Sequence, residues 1–194
     1  YSIEDLKIKN SFVRDALILT NDPVLDLGCN QGQYSLIASE MGLKVVATDF
    51  DEKSLVKLQS KLKNENISIS LMDICRPTPA IGWNNREHIS FLQKAKNYFG
   101  LVLCLGLIHH LLITERIPLI YILETLNSLT KKYLLVEWIH PEDAKFIQIS
   151  KFNKDLSTHF TTNFFESIAK TKFSIIKKIN LINSKRSLYL LKKI

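Results

Sequence analysis

The stretch Val24-Leu-Asp-Leu-Gly-Cys-Asn-Gln-Gly-Gln33 decides the fold of this 194-residue chain. It begins with a short apolar run, which predicts a buried strand over Val24–Leu27, and it leads into a predicted helix over 34–41 that ends at Gly42. A glycine turn between a strand and a helix leaves the first N–H groups of the helix available to a carboxylate or a phosphate. The stretch therefore predicts a nucleotide-binding turn in an α/β protein.

Short apolar runs alternate with helical patterns on both sides of this turn, which is typical of a parallel sheet covered by helices on both faces. A helix is predicted before the turn, over 5–20. After the turn, strands are predicted over 44–48, 67–72, 101–105 and 133–138, and helices over 55–62, 87–96 and 118–129. A last helix over 161–171 precedes a hairpin of two strands, 173–181 and 187–191. We expect one doubly wound α/β domain over 1–194, with a mostly parallel sheet and an antiparallel member at its end.

The composition favours a folded domain outside the membrane. Hydrophobic residues make up 46% of the chain and charged residues 23%, which argues against a disordered chain. The longest apolar run, over 101–113, is broken by two histidines and is too short to cross a bilayer, and no signal-peptide pattern opens the chain. The three cysteines lie far apart without a Cys-x-x-Cys pair, so we expect reduced thiols, no disulfide and no metal. We therefore expect a cytoplasmic protein.

The net charge of +7 leaves the kind of partner open. An anionic partner such as RNA suits a basic chain, but the lysines are spread and partly collect near the C-terminus, which is more typical of a solvated face. The chain also has no initiating methionine, so we interpret it as a processed chain or as a piece of a longer protein.

The glycine turn itself separates two classes of nucleotide ligand. A dinucleotide fingerprint requires glycine at three positions, and this chain has only Gly28 there, with Asn30 and Gln33 at the other two. The carboxylate of Asp26 would repel a pyrophosphate at close range, whereas it suits the ammonium group of a methionine-like ligand. In the alternative interpretation, Asp26 and the glycines form only a strand-to-helix turn.

Two further acids follow at the ends of the next predicted strands. Asp49 lies about 20 residues after the turn, where a carboxylate hydrogen-bonds both hydroxyls of a ribose. Phe50 either lies against an adenine ring or packs in the core. Asp73 ends the third strand, where it is either an acceptor for an adenine amino group, with Ile74 as an apolar wall, or an ordinary strand-end acid.

These residues, in this order, resemble the class I S-adenosylmethionine-dependent methyltransferases over nearly the whole chain. The resemblance implies S-adenosylmethionine as the cofactor and a seven-stranded sheet with a reversed last strand. It also implies a set of cofactor contacts: Gly28, Asn30 and Gly32 at the methionine moiety, Asp49 at the ribose, Asp73 and Ile74 at the adenine, and Cys104 and Gly106 beneath the ligand. Asn30 departs from the glycine that many members carry, but asparagine tolerates left-handed backbone angles.

The segment 105–111, Leu-Gly-Leu-Ile-His-His-Leu, is a candidate for work on the methyl acceptor. It resembles the motif after the fourth strand of many small-molecule methyltransferases. His109 is the candidate general base, because an imidazole at the end of a strand takes a proton near neutral pH. His110 is expected to brace the loop. Packing is the alternative role for His109, and adjacent histidines do not favour a shared metal ion.

The segment 82–88, Gly-Trp-Asn-Asn-Arg-Glu-His, is a second candidate for contact with the acceptor. Trp83 suits stacking on a planar or cationic group, Arg86 suits a carboxylate or phosphate, and Asn85 is a further candidate for contact with the acceptor. A self-bonded loop is the alternative. Glu137, at the end of the fifth strand, is a further candidate. The bacterial subgroup of the family that is related to nodulation proteins resembles this chain in three segments, namely 82–88, Ile108-His-His-Leu111 and Val136-Glu-Trp-Ile-His-Pro-Glu-Asp143.

The sequence therefore favours transfer of a methyl group from S-adenosylmethionine to an oxygen or nitrogen nucleophile. We expect a small-molecule acceptor, while a peptide or RNA acceptor and the oligomeric state stay open. One alternative is a non-catalytic S-adenosylmethionine-binding domain of a larger protein. Another is an NAD(P)-dependent oxidoreductase, which Asn30 and Gln33 disfavour.

Overall fold

The computed structural model describes residues 2–62, 66–150 and 160–194. Its strands are β1 (Val24–Leu27), β2 (Val45–Asp49), β3 (Ile67–Leu71), β4 (Phe99–Cys104), β5 (Thr130–Ile139), β6 (Phe173–Asn180) and β7 (Arg186–Lys193). They form a seven-stranded sheet in the order β3-β2-β1-β4-β5-β7-β6. The first five strands pair in parallel, whereas β7 runs antiparallel to both β5 and β6. The predicted fold, a doubly wound sheet with a reversed last strand, is confirmed.

Helices cover both faces of this sheet. They are α1 (Ile3–Leu17), α2 (Gln33–Glu40), α3 (Glu52–Gln59), α4 (Phe91–Ala95), α5 (Ile108–Ile113), α6 (Leu119–Leu129), α7 (Ala144–Ser150) and α8 (Thr162–Ala169). Side chains of a strand alternate between the two faces, so Leu101 and Leu103 of β4 enter one core while Val102 and Cys104 enter the other. This two-sided burial explains why the central strands are continuous apolar runs.

Across the part of the chain that the structure describes, no helix is both long enough and apolar enough to cross a membrane.

Several helix starts follow ordinary capping chemistry. The hydroxyls of Ser2 and Thr161 and the carboxylate of Asp51 accept backbone N–H groups in the first turns of α1, α8 and α3. The start of α2 has no side-chain cap, because its N-cap residue is Gly32. The N-terminus of α2 therefore depends on groups from elsewhere, and it lies directly after the glycine turn.

Three segments differ from the sequence prediction. The helix predicted over 87–96 is confined to Phe91–Ala95, because Ser90 caps it at one end and Lys96 leaves helical geometry at the other. The sequence predicts a loop where α5 lies. This helix is six residues long and apolar apart from its two histidines, so its sequence shows no amphipathic period. The helix α7 was not predicted either, and it is also short.

Candidate functional site

A cavity of about 560 Å³ opens at the carboxyl ends of the central parallel strands. Ligands of open α/β sheets bind at this edge, and the volume is typical of a small-molecule site. The turn after β1, the ends of β2 and β3 and the segment after β4 all line it. The lining includes most of the residues expected to contact the cofactor: Gly28, Asn30, Asp49, Phe50, Asp73, Ile74 and Gly106.

The turn after β1 has left-handed backbone at alternate positions. Gly28, Asn30 and Gly32 have φ values of 72°, 51° and 73°, so Asn30 adopts the conformation that asparagine tolerates. The backbone N–H groups of Gly28 and Cys29 both donate to the carbonyl of Thr48, at 2.9 and 3.0 Å, which fastens the turn to β2. The turn is therefore fixed in a conformation in which Gly28 and Asn30 both line the cavity.

Gly32 and Cys104 do not line the cavity, although both were expected at the cofactor. A Cβ atom on Gly32 would overlap the side chain of Leu58 in α3, so this glycine is required by close packing as well as by its φ value. Cys104 is fully buried among apolar side chains, and burial raises the pKa of its thiol to about 12. Both residues support the site from within the core.

Asp49 connects the cavity to the loops on either side of it. Its Oδ2 accepts the backbone N–H of Asn30 at 2.7 Å, and its Oδ1 accepts that of Asp51 at 2.9 Å. A carboxylate oxygen accepts more than one hydrogen bond, so Asp49 retains acceptor capacity toward the cavity. Its neighbour Phe50 lines the cavity and is 73% exposed, so it is not a core aromatic residue.

Asp73 is held in its ionised form at the end of β3. Its Oδ1 accepts the N–H of Cys75 at 2.8 Å, and its Oδ2 pairs with Arg76. Burial alone would raise the pKa of Asp73, but these hydrogen bonds and the charge of Arg76 bring it below its ordinary value. Arg76 also donates to Glu115 at 3.2 Å, beyond α5, and both residues line the cavity. No sequence pattern predicts a role for Arg76 or Glu115 at the site.

The charge of the lining separates the two ligand classes. Among the described residues around the cavity, the carboxylates are Asp49, Asp51, Asp73 and Glu115, and the guanidinium of Arg76 is already paired with two of them. Such a lining repels a polyphosphate at close range and attracts a cationic ligand. With apolar walls from Met72, Ile74 and Leu111, it fits a positively charged nucleoside better than a dinucleotide.

Asp26 does not line the cavity but fastens β1 to α2. It is buried, its Oδ2 accepts the hydroxyl of Ser35 at 2.6 Å, and it accepts the backbone N–H of the same residue. A carboxylate in this position also balances the positive end of the α2 dipole. Burial raises the pKa of Asp26 from its ordinary 3.8 to about 6 despite these hydrogen bonds. The position of Asp26 agrees with the alternative interpretation, in which Asp26 belongs to the turn between strand and helix and does not contact the ligand.

The raised pKa of Asp26 predicts a pH-dependent effect of Asp26→Asn on stability. A carboxyl that is harder to ionise in the folded state stabilises the fold at low pH, and this contribution is lost as the pH rises from about 4 to about 6. Asparagine has no such loss and still accepts from Ser35. Relative to wild type, the variant should gain about 2 kcal/mol in free energy of unfolding between about pH 4.5 and about pH 7.5.

Urea denaturation at these two pH values measures this difference. The control is Asp22→Asn, because Lys131 and Lys132 lower the pKa of the Asp22 carboxyl, which is therefore ionised in both states over this range. A constant gap between wild type and Asp26→Asn would show that Asp26 ionises normally in the folded protein.

The two adjacent histidines have the opposite placement to the one expected. His110 lines the cavity, whereas His109 is only 5% exposed and is absent from the lining. Burial, followed by the charges of His110 and Arg186, lowers the pKa of His109 to about 3. An imidazole with that pKa is a poor general base at neutral pH. The prediction that His109 is the better candidate for the general base is therefore corrected, since His110 and not His109 lines the cavity.

The other candidates for acceptor contact lie away from this cavity. Trp83 is 83% exposed, and Asn85 and Arg86 are exposed beside it in a 3₁₀ turn between the bridged residues Ile81 and His88. Glu137 is fully buried beneath the site. The structure brings none of these four candidates to the lining of the cavity.

The lysines near the C-terminus mostly have acidic partners within the chain. Lys170 and Lys178 pair with Glu166, Lys172 pairs with Glu124, and Lys177 pairs with Asp15. Their charges are partly balanced on the surface of the domain, which agrees with the interpretation of a solvated face.

Comparisons with known proteins show which families and structures the chain is similar to. The family model of the tellurite resistance protein TehB matches residues 4–78. The nodulation protein NoeA of Rhizobium meliloti is 28% identical over 169 residues, which are 86% of this chain and 35% of that protein. The chain spans 22% to 35% of the length of the curated relatives that it matches.

Solved structures show the same fold. The N-methyltransferase NodS of Bradyrhizobium japonicum superimposes with a TM-score of 0.69 at 8% identity, covering 99% of this chain and 98% of that one. The magnesium protoporphyrin IX methyltransferase of Synechocystis PCC 6803, with bound SAH, gives a TM-score of 0.66 at 17% identity, covering 96% and 83%. The sheet order and the glycine turn with its two strand-end acids agree with these matches, which show that the chain is similar to S-adenosylmethionine-dependent methyltransferases and shares their fold.

Proposed function

We propose that this domain is an active methyltransferase, which moves a methyl group from S-adenosylmethionine to an oxygen or nitrogen nucleophile of a small molecule. The observation that carries the proposal is the cavity, whose anionic and apolar lining suits a cationic nucleoside. When bound, S-adenosylmethionine supplies a methyl group on a sulfonium that is already activated. The protein therefore has to orient two ligands and to accept a proton from the nucleophile.

Each part of the cofactor has a candidate partner in the lining. Asp49 would hold the ribose hydroxyls, since its oxygens retain acceptor capacity. Asp73 and the apolar Ile74 would hold the adenine. Gly28 and Gly106, which have no side chains, leave room for the methionine end. These assignments keep the ligand at the edge of the sheet where the strand ends converge.

His110 is our candidate for the group that accepts the proton. It lines the cavity, and partial burial followed by the charge of Lys145 lowers its pKa, so it is neutral at pH 7 and has a free lone pair. His109 has neither the position nor the basicity for this role.

We expect His110→Ala to slow methyl transfer about a hundredfold, because general-base catalysis contributes at least this much when the nucleophile must lose a proton. The affinity for S-adenosylmethionine should change less than twofold. His109→Ala is the matched control, and we expect it to lower the stability of the fold more than the rate. Transfer that is slowed by His109→Ala but not by His110→Ala would return the role to His109.

A screen with S-adenosylmethionine labelled in its methyl group tests the proposed activity. Separate pools of small polar molecules, peptides and RNA identify the class of acceptor. We favour a small molecule over RNA because the C-terminal lysines are engaged in ion pairs within the chain.

A second candidate function is that of a non-catalytic cofactor-binding domain within a larger protein. It is favoured by one observation, that the chain covers about a third or less of its curated relatives. Cofactor binding without transfer to any pool would support it. An NAD(P)-dependent oxidoreductase is disfavoured by the carboxylates of the cavity.

A further inference from the structure

The chain buries a cluster of ion pairs behind the cavity. Glu137, near the end of β5, is fully buried, and its Oε2 accepts from Lys9 Nζ at 2.7 Å while its Oε1 accepts from Arg186 Nη1 at 3.4 Å. Arg186 donates in addition to both oxygens of Asp143, at 2.9 and 3.1 Å. This cluster joins α1, β5 and β7, which come from distant parts of the sequence.

Gly106 separates Glu137 from the cavity. Gly106 lines the cavity with a φ of 70°, and a Cβ atom built on it would lie 3.6 Å from Oε2 of Glu137. The carboxylate thus lies directly behind the backbone of Gly106, with no side chain from that residue in between. The next residue, Leu107, approaches Gly28, because a Cβ on Gly28 would lie 3.3 Å from its side chain. Glu137 is therefore behind the end of the cavity formed by the glycine turn.

A charge in this position acts on a ligand without touching it. Glu137 is shielded from solvent, so its field is weakened by the protein interior and by its partners but not by bulk water. Lys9 opposes that field, since its ammonium is 2.7 Å from the same carboxylate oxygen. Removing either charge changes the net charge behind the cavity by one unit. Loss of the Glu137 charge makes this region more positive, and loss of the Lys9 charge makes it more negative.

We infer that Glu137 determines a specificity of the site, namely preference for the positively charged cofactor over its neutral product, and that Lys9 limits this preference. The inference rests on the proposed function for the identity of the ligand. S-adenosylmethionine carries a sulfonium, whereas S-adenosylhomocysteine has a neutral thioether and lacks one methyl group. A buried carboxylate behind the methionine end stabilises the first and not the second, so the loss of charge on transfer favours exchange of product for fresh cofactor.

The test compares the dissociation constants of these two ligands by isothermal titration calorimetry. In Glu137→Gln, the ratio of the constant for S-adenosylmethionine to that for S-adenosylhomocysteine should rise about fivefold or more, because a cation loses its nearby anion. In Lys9→Met, the ratio should fall by a similar factor. In the double variant Lys9→Met/Glu137→Gln, it should return to within about twofold of wild type.

A purely structural role of the ion pair gives a different pattern. Loosening of the site would weaken both ligands alike and leave the ratio constant, and that result in the folded single variants overturns the inference. Circular dichroism and thermal melting establish that each variant is folded. If Glu137→Gln does not fold, Lys9→Met decides the question, since Arg186 still faces the carboxylate in that variant.

The wild-type titrations separate failure of this inference from failure of the proposed function. Wild-type protein that binds neither ligand contradicts the proposed function. Wild-type protein that binds both ligands, with the same ratio in wild type and in the single variants, contradicts only the assignment of Glu137 and Lys9.

Discussion

Asp49→Ala should weaken the binding of S-adenosylmethionine about a hundredfold. The substitution removes a carboxylate from the cavity, where we place the ribose hydroxyls, and charge-assisted hydrogen bonds contribute about 1.5 to 3 kcal/mol each. It also frees the N–H groups of Asn30 and Asp51, which Asp49 holds at 2.7 and 2.9 Å. The glycine turn then loses one of its ties to the end of β2 and keeps only those to the carbonyl of Thr48, so binding has to order Asn30 again.

Calorimetric titration of the folded variant measures this loss. Asp51→Ala is a matched control, because it removes another carboxylate from the lining but leaves the bond between Asp49 and Asn30 in place. We expect its affinity for the cofactor to fall less than tenfold. An unchanged affinity in folded Asp49→Ala would remove Asp49 from the binding site.

Gly32→Ala should lower the free energy of unfolding by about 3 kcal/mol. Part of this loss, about 1 kcal/mol, comes from the left-handed backbone at a φ of 73°. The rest comes from the new Cβ atom, which overlaps the side chain of Leu58, and overpacking of a core costs about 1 to 3 kcal/mol. The same substitution should move the start of α2 and so disturb the glycine turn.

Gly42→Ala measures separately how much of the lost free energy of unfolding comes from the left-handed backbone alone. Gly42 has a φ of 83°, and a Cβ atom built on it meets nothing within 4 Å in the described part of the chain. Its substitution should therefore cost only about 1 kcal/mol. Urea denaturation of both variants provides the comparison, and equal losses would show that the contact between Gly32 and Leu58 does not constrain the fold.

The sequence was sufficient to predict the sheet and the acids at its edge. The carboxyl ends of parallel strands meet at one edge, so a predicted order of strands already brings Asp49, Asp73 and the turn at Gly28 together. The reversed last strand followed from the hairpin at the end of the chain. These predictions depend on local patterns and on a topological rule, and neither requires knowledge of individual contacts.

The sequence was insufficient where the structure depends on one helix start or on distant pairs. Which of His109 and His110 faces the cavity depends on where α5 begins, and no side-chain cap marks that start. Arg76 meets Glu115 across 39 residues, and Lys9 meets Glu137 across 128. Pairs at such separations have no signature in one sequence, so Glu137 was expected at the acceptor although it is buried behind Gly106.

The central claim is that the cavity at the ends of β1 to β4 holds S-adenosylmethionine, and titration of the wild-type protein with three ligands tests it most directly. We expect S-adenosylmethionine and S-adenosylhomocysteine to bind and NAD to give no measurable heat, because the lining carboxylates repel a pyrophosphate. Asp49→Ala should abolish most of the binding of the first two. Binding of NAD together with no binding of either methionine-derived ligand would contradict the account.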